Sequence, residues 1–460
     1  MSKVPAPTIA AVILAAGKGT RMKSALPKVL HPVAGLPMVG HVVKLALDVG
    51  AAPIAIVTAS GMEDVADVAR DIAGEVDVAI QREQLGTAHA VLAARPVLGE
   101  LEGTLLVLYG DTPLLTNGTV AQLLDAIDAD AKCAVAVLGF LPEDAGDYGR
   151  LVLAEDGTLE RIVEARDATS DELAIGLCNS GVMALRGSLA WQMLSKITNQ
   201  NAKKEFYLTD VIAIARSMGH YAVVVEGAAD EVLGVNSRSE LAVAEAIFQY
   251  RARQHFMEAG VTLIDPDSVF FAADTAIAHD VTIEPNVYFG MGVSIASGAH
   301  IKAFSHIEGA HIGARTTVGP FARLRPGSSL GADVRVGNFV EIKQSDIADG
   351  VKVSHLSYIG DASIGADANI GAGTITCNYD GYMKYKTTIG REVFIGSNSA
   401  LVAPVTIGDG AMVAAGSVIT EDVAPDAMAR ARGVQTAHAN GAKAFRDRKS
   451  EEKKALKKKA

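Results

Sequence analysis

The feature that most constrains this chain is a six-residue period running from about Val281 to Ile419, in which an aliphatic side chain keeps returning at the sixth position. Ile283, Phe289, Ile295, Ile301 and Ile307 hold one register, and Ile312, Val318, Leu324, Leu330, Val336 and Ile342 hold the next. Ile389, Ile395, Leu401, Ile407, Val413 and Ile419 hold a third, each change of register being a one-residue slip. Small or short side chains precede them by two places, as in Val281, Val287, Val293, Ala299 and Ser305, and later Val393, Ser399, Val405, Ala411 and Ser417. A period of six fits neither a helix at 3.6 residues per turn nor a free alternating strand, so it requires stacked coils. The arrangement that satisfies it is a parallel β-helix. Its aliphatic residues fill a narrow prism, the small ones sit beside them, and glycine after the aliphatic residue (Gly313, Gly396, Gly408) is expected to relieve the corner between faces.

This repeat resembles the hexapeptide family of left-handed β-helices, in which trimers are the rule and acyl transfer from coenzyme A is the commonest chemistry. With 460 residues the chain has room for at least two domains. Its 21% charged and 49% hydrophobic residues are a globular balance, and no apolar run reaches the roughly 18–20 residues of a membrane span. The start, Met1 to Pro7, carries no apolar leader core. Cys133, Cys178 and Cys377 are too scattered for a disulfide framework or a metal site, so a reducing cytoplasm is expected. A formal charge of −11 gives the body no reason to bind nucleic acid, and the basic stretch Arg446 to Lys459 is expected to be a solvated, disordered end.

Ahead of the repeat, apolar runs at Ile9 to Ala15, Ile54 to Val57, Val76 to Ile80, Thr104 to Tyr109 and Ala134 to Leu138 alternate with helical stretches. This is the rhythm of an open, mostly parallel sheet, which binds ligands beyond the carboxyl ends of its strands. The first strand runs into Leu14-Ala15-Ala16-Gly17-Lys18-Gly19-Thr20-Arg21-Met22, and Leu26-Pro27-Lys28 follows. Gly17 and Gly19 let the backbone approach a phosphate, and Lys18, Arg21 and Lys28 offset negative charge, so the turn suits a polyphosphate. Neither a Walker loop nor the full Gly-x-Gly-x-x-Gly pattern is present. Gln81 to Thr87 offers amides and a Gly86-Thr87 backbone to the edge of a base. Asp111, ending the buried strand Leu105 to Gly110, is expected to be a magnesium ligand rather than only a helix cap.

Together these motifs resemble the sugar-1-phosphate nucleotidyltransferases. With the hexapeptide repeats behind them, the chain resembles, from Ala10 to Arg432, the bacterial bifunctional N-acetylglucosamine-1-phosphate uridyltransferases and glucosamine-1-phosphate acetyltransferases. The resemblance implies a Rossmann-like α/β nucleotidyltransferase domain over 1–235 and a left-handed β-helix acetyltransferase domain over 261–432, while the amphipathic stretch Ser239 to Met257 is expected to be a helical linker, 236–260, and 433–460 a basic tail. It implies uridine contacts from Leu14, Ala15, Ala16, Gly17, Gln81, Gly86 and Thr87, with Tyr109 and Gly110 beside Asp111 in the same UDP-sugar site. Lys28 is implied on phosphate, Gly149, Glu164 and Asn179 on the sugar, and Asn236 as the partner of Asp111 on Mg2+. No protein nucleophile is needed, because a sugar phosphate oxygen attacks UTP while Lys28 and Arg21 stabilise spreading charge.

Between Ile370 and Ile389 a polar insertion, Thr374 to Gly381, breaks the repeat, and loops on a rigid repeat are where function concentrates. Transfer of acetyl to an amine needs a proton acceptor, and His355 in Ser354-His355-Leu356-Ser357-Tyr358 is suited to it. Arg325 and Lys343 suit a sugar phosphate, and Glu341 is expected to orient the imidazole. Cys377 is not required as an acyl carrier, since direct transfer suffices. The family implication adds Tyr358, Asn369 and Asn378 around the acceptor sugar. It places acetyl-CoA against Ala372, Asn378, Tyr379, Ser397, Ala415 and Arg432, in a homotrimer with sites at its interfaces. The substrates implied are UTP, glucosamine-1-phosphate, N-acetylglucosamine-1-phosphate and acetyl-CoA. Two other readings stay open at this point: a monofunctional sugar-1-phosphate nucleotidyltransferase whose β-helix only assembles it, and a binding or regulatory protein of the same plan.

Overall fold

The computed structural model describes residues 9–201 and 203–459, so the chain's start, on which the leader was judged, lies outside the described residues. The chain divides into two units, one comprising Met1–Glu258 with Val269–Thr275 and the other Ala259–Ser268 with Ala276–Ala460. No helix among the described residues is long and apolar enough to cross a membrane.

Among the described residues of the first unit, nine strands form one mixed sheet. Its order is Asp77–Gln81, Ala51–Ala59, Ile9–Leu14, Thr104–Tyr109, Cys178–Arg186, Cys133–Phe140, Tyr221–Glu226, Leu159–Val163 and Arg150–Leu153. The four strands from Asp77–Gln81 to Thr104–Tyr109 run parallel, while Cys178–Arg186 is antiparallel to both neighbours. Both faces of the central strands are buried, so they read as continuous apolar runs. Val12, Val57 and Val107 enter one core with Trp191 and Leu185, whereas Ile13, Ile56, Leu106 and Leu108 enter the other with Val42 and Leu123. The helix Arg238–Glu258, expected as a linker, packs with this first unit. It is joined to the returning segment by Gln249, which donates to Phe271 O at 2.7 Å and accepts from Phe271 N at 2.8 Å.

The second unit is the left-handed β-helix. Its three parallel sheets hold ten, eight and eight strands of two to four residues each. The first face runs from Thr262–Leu263 to Met428–Ala429, the second from Tyr288–Phe289 to Val418–Ile419, and the third from Ala276–Ile277 to Val405–Ile407. The six-residue aliphatics point inward and are buried, Ile283, Phe289, Ile301, Leu324, Ile342, Ile395 and Val413 among them. The one-residue slips and the polar insertion fall at a single corner. Between the second and third faces the chain is one residue shorter at Ile307 to Ile312, Ile342 to Ile347 and Ile359 to Ile364, and it is lengthened between Thr376 and Ile389.

The expected role of the glycines after the aliphatic residues is corrected. Gly313 is not in the left-handed region; instead a Cβ there would lie 2.3 Å from Gly331 O, so it permits close stacking of coils. Left-handed corner positions are taken partly by large residues, including Phe304, Phe321 and Phe339. The tail, expected to be disordered, is a helix from Gly441 to Lys459. Its lysine, alanine, arginine and glutamate content favours a helix, and Lys449 pairs with Glu452 at 2.6 Å one turn on.

Candidate functional site

Strand ends of the first unit converge on a cavity of about 390 Å³. Leu14, Ala15, Ala16 and Gly17 line it, followed by Lys28, then Gln81, Gln84, Gly86 and Thr87, then Tyr109, Asp111 and Glu164. Adjacent strands set this edge, with Gly110 N donating to Leu14 O at 2.9 Å and Ala15 N to Val57 O at 2.8 Å. Gln84 Nε2 donates to Ala16 O at 2.6 Å and so fixes the turn. Gly19, at φ 58°, is needed because a Cβ would come within 2.5 Å of the Lys28 Cβ. Gly86, at φ 111°, allows the backbone of Phe206 to pass 2.5 Å from where its Cβ would be.

That passing segment was missed by sequence reasoning. Lys203, Glu205 and Tyr207 complete the cavity, tied down by Phe206 N to Leu85 O at 2.7 Å and by Leu208 N to Thr87 Oγ1 at 3.1 Å. Burial pushes the Glu164 carboxyl above its ordinary range, with Lys203 partly opposing it, and burial followed by the nearby Asp111 charge raises the Tyr109 phenol. Asn179 N donates to Gly149 O at 2.8 Å, and Asn179 Oδ1 accepts from Gly181 N at 2.9 Å. Gly181 lies against the Tyr109 ring. Gly149, Asn179 and Gly110 thus adjoin the cavity without lining it, whereas Lys18 and Arg21 stand exposed away from its lining.

Lys28 is not free to wait for phosphate. Its buried ammonium donates to Asp111 Oδ2 and, at 2.9 Å, to Asn236 Oδ1. Asn236 is delivered by a capping box at the start of the helix Arg238–Glu258. Glu240 Oε2 accepts from Asn236 N at 2.7 Å and Ser237 N at 2.8 Å, while Glu240 N donates to Ser237 Oγ at 3.3 Å. Asn236 Nδ2 donates to Gly234 O at 3.0 Å, which turns Oδ1 toward Lys28, and Val235 N donates to Asp111 O at 2.9 Å. One carboxylate and one amide oxygen therefore converge on one point already shaped for a cation. That donor set fits magnesium, which keeps several waters and takes few protein ligands.

In the second unit His355 ends a first-face strand, opposite Asn338 on the preceding coil. Its Nδ1 donates to Asn338 Oδ1 at 2.8 Å, which leaves the lone pair on Nε2 for a proton. Glu341, expected in that orienting role, instead accepts from Arg325 Nη1 at 2.9 Å. The reason is register, since Glu341 lies on the second face and Asn338 shares the corner of His355. Ala372, Ser397 and Ala415 occupy the same corner on successive coils above His355, each two places beyond an inward residue. Beyond them Arg432 folds back, its Nη1 donating to Ala415 O at 2.7 Å.

Arg325 and Lys343 lie at the other edge of the second face, with Tyr358 on the face between. Asn378 is buried and donates to Asp361 Oδ2, Tyr379 is exposed in the insertion, and Asn369 is half-buried on the first face. The insertion also brings in Lys384, a residue the sequence did not single out. The neighbouring Lys343 ammonium holds Lys384 below its ordinary value, as expected where two cations wait for an anion.

Comparison with known proteins accords with both units. The MobA-like NTP transferase domain family matches residues 11–176, and the family described as bacterial transferase hexapeptide (six repeats) matches residues 386–421. The Bifunctional protein GlmU of Paramagnetospirillum magneticum is 50% identical over 445 residues, 97% of this chain and 98% of that protein. The Bifunctional protein GlmU of Azorhizobium caulinodans is 52% identical over 435 residues, covering 95% and 96%, and that of Agrobacterium fabrum is 50% identical over 448, covering 97% and 98%. Full-length likeness at this level, on a nucleotidyltransferase sheet followed by hexapeptide coils, means that the chain belongs to the family of the bifunctional protein GlmU and is a uridyltransferase and acetyltransferase in one polypeptide.

Proposed function

We propose that the second unit acetylates glucosamine-1-phosphate from acetyl-CoA, and that the first unit couples the product to UTP, releasing pyrophosphate and UDP-N-acetylglucosamine. The observation that carries this reading is the convergence of Asp111 Oδ2 and Asn236 Oδ1 at the cavity bounded by Gly17, Gln81, Gly86 and Thr87. The base lies against Gln81, Gly86 and Thr87, the phosphates against the Gly17 turn and Lys28, and the sugar against Gly149, Glu164 and Asn179. Asp111 and Asn236 would hold magnesium, which when bound would supply charge neutralisation at the triphosphate. The protein's own part is alignment: the cavity holds the sugar phosphate oxygen in line with the α-phosphorus, and Lys28, with the exposed Arg21 of the loop that follows Gly19, offsets charge as pyrophosphate leaves.

For acetylation, His355 Nε2 takes the proton of the acceptor ammonium, and the amine adds to the thioester carbonyl. Collapse of the adduct breaks the C–S bond, and the departing thiolate takes the remaining extra proton of the nitrogen, which leaves a neutral amide and the free thiol of coenzyme A. From His355 the corner track passes Ala372, Ser397 and Ala415 to Arg432, four coil spacings or roughly 19 Å at about 4.8 Å per coil, which suits an extended pantetheine arm ending near His355. Arg325, Lys343 and Lys384 take the sugar phosphate across the second face, with Tyr358, Asn369 and Asn378 around the sugar and Tyr379 beside the coenzyme.

A homotrimer is the assembly we favour. Phe394, Met412 and Met428 on the first face and Ile375 and Val418 on the second are exposed, whereas Ser294, His311, Ser329, Asp346 and Thr406 make the outward side of the third face polar. The apolar outward residues thus gather on the later coils of the first two faces, whereas earlier coils turn out Arg323, Arg335 and Lys352, and this supports burial of the later coils against further copies. UTP and acetyl-CoA are cytoplasmic metabolites, which supports a cytoplasmic enzyme. The decisive assay follows thiol and pyrophosphate release separately while each substrate is omitted. Thiol release without UTP, and pyrophosphate release that needs acetyl-CoA unless N-acetylglucosamine-1-phosphate is supplied, is the expected result. Pyrophosphate release with no thiol release under any condition overturns the acetyltransferase half.

A further inference from the structure

At the point where the two metal-binding oxygens meet, positive charge is already supplied by the chain. Lys28 Nζ bonds both Asp111 Oδ2 and Asn236 Oδ1, and the lysine is buried beneath Gly19. We propose that Lys28 is a built-in place-holder for the divalent cation, holding the two ligands together in the free enzyme and yielding them only when arriving nucleotide phosphates give its ammonium another partner. This rests on the reading of Asp111 and Asn236 as the metal ligands.

The geometry makes the two cations competitors. Asn236 offers the site a single oxygen, because its Nδ2 is committed to Gly234 O, and the ammonium lies within hydrogen-bonding distance of that oxygen and of Asp111 Oδ2, so the competition is one of charge. A dication on the same oxygens would stand against a buried ammonium in a medium that screens poorly. The lysine must therefore move. The other carboxylates lining the cavity are Glu164 and Glu205, and the Lys203 charge already favours ionised Glu164. A triphosphate seated on the Gly17 turn is the anion that the ammonium can reach while it remains inside the cavity. Metal and nucleotide then assist each other, and by linkage the assistance is equal in both directions. A lysine held away from Asp111 and Asn236 to bind phosphate would act on metal affinity only through its screened charge, a smaller effect before nucleotide arrives.

The test is Mn2+ binding to the full-length protein without nucleotide, read as loss of the free-ion electron paramagnetic resonance signal. Wild-type protein should bind Mn2+ weakly, K28M at least tenfold more tightly, and K28R, which keeps the charge, about as weakly as wild type. K28Q repeats the measurement should K28M fail to fold. D111N in the K28M background should remove the gain. No gain in K28M and K28Q, while D111N still removes Mn–UTP binding from the wild-type background, overturns the place-holder and leaves the ligand assignment standing. Undiminished Mn–UTP binding in D111N overturns the ligand assignment itself, and the place-holder with it.

Discussion

The two sites are built by opposite strategies. In the sheet unit, Leu14, Gln81, Asp111, Glu164 and Asn236 are far apart in sequence and meet because strand ends, a strap at Lys203 to Tyr207 and a helix cap converge. In the β-helix unit, Asn338, His355, Ala372, Ser397 and Ala415 meet because each stands one coil from the next at the same corner. The first site is a cleft in which Lys28, Asp111 and Asn236 are bound to one another; the second is a surface track with an exposed base. Convergence produces a site that must rearrange to accept its ligands, whereas stacking produces one held rigid by the repeat.

The sharpest way to break the comparison is to remove one group from each site. His355→Ala should lower acetyl transfer by about 10²–10⁴-fold, the usual contribution of a general base, and spare uridylyl transfer. Asp111→Ala should lower uridylyl transfer by at least about 10²-fold and spare acetylation. Separate thiol and pyrophosphate assays read both, and parallel loss of the two activities in either variant would mean that the sites are not independent. Next in size is Gly86→Ala. Its Cβ would meet Phe206 O at 2.5 Å and its φ of 111° is unfavourable for alanine, so the strap must shift. The expected cost is about 2 kcal/mol of stability, with a rise of tenfold or more in the KM for UTP and an unchanged KM for acetyl-CoA. An unchanged KM for UTP would detach the strap from nucleotide binding.

Asn338→Ala tests the stacked site more gently. It removes a single hydrogen bond from the imidazole, worth about 1 kcal/mol, so kcat for acetylation should fall by roughly fivefold to tenfold with little change in KM. Asn338→Asp restores an acceptor and should recover most of the rate. A fall in Asn338→Ala confined to KM would instead place Asn338 on the substrate.

How much of this was legible follows from the same contrast. The β-helix was readable because its period is local, and the inward aliphatics named from it are buried. Asn338 was missed although the same period contains it, since the residue one coil before His355 is its neighbour. Asp111 could be read from its place at a strand end, but Asn236 entered only through family resemblance, because no local pattern brings residue 236 to residue 111. Lys203, Glu205, Tyr207 and Lys384 sit in irregular segments with no period, and their positions depend on backbone ties such as Phe206 N to Leu85 O. Arg21, named from residue type and spacing, is exposed outside the cavity lining, and its part in offsetting charge is the proposal made above.

The smallest effect concerns what enclosure costs the first unit. Burial raises the pKa of Glu164, so the folded protein holds that proton more tightly than the unfolded chain does. In the interval between the ordinary carboxylate pKa, about 4.3, and the raised one, the native state binds more protons, and stability falls as pH rises. Above the raised value the charged carboxylate carries its full penalty, lessened by Lys203. Glu164→Gln should therefore unfold at a slightly higher temperature than wild type at pH 7, and the gap should narrow as pH is lowered through the folded-state pKa. Uridylyl transfer should fall in the same variant, because an amide nitrogen replaces one of the acceptors offered to the sugar. Calorimetry across a pH series checks the sign. A variant less stable than wild type at pH 7 would mean that attraction to Lys203 outweighs burial, and that Glu164 holds the strap in place rather than bearing a stability cost for the sake of the sugar.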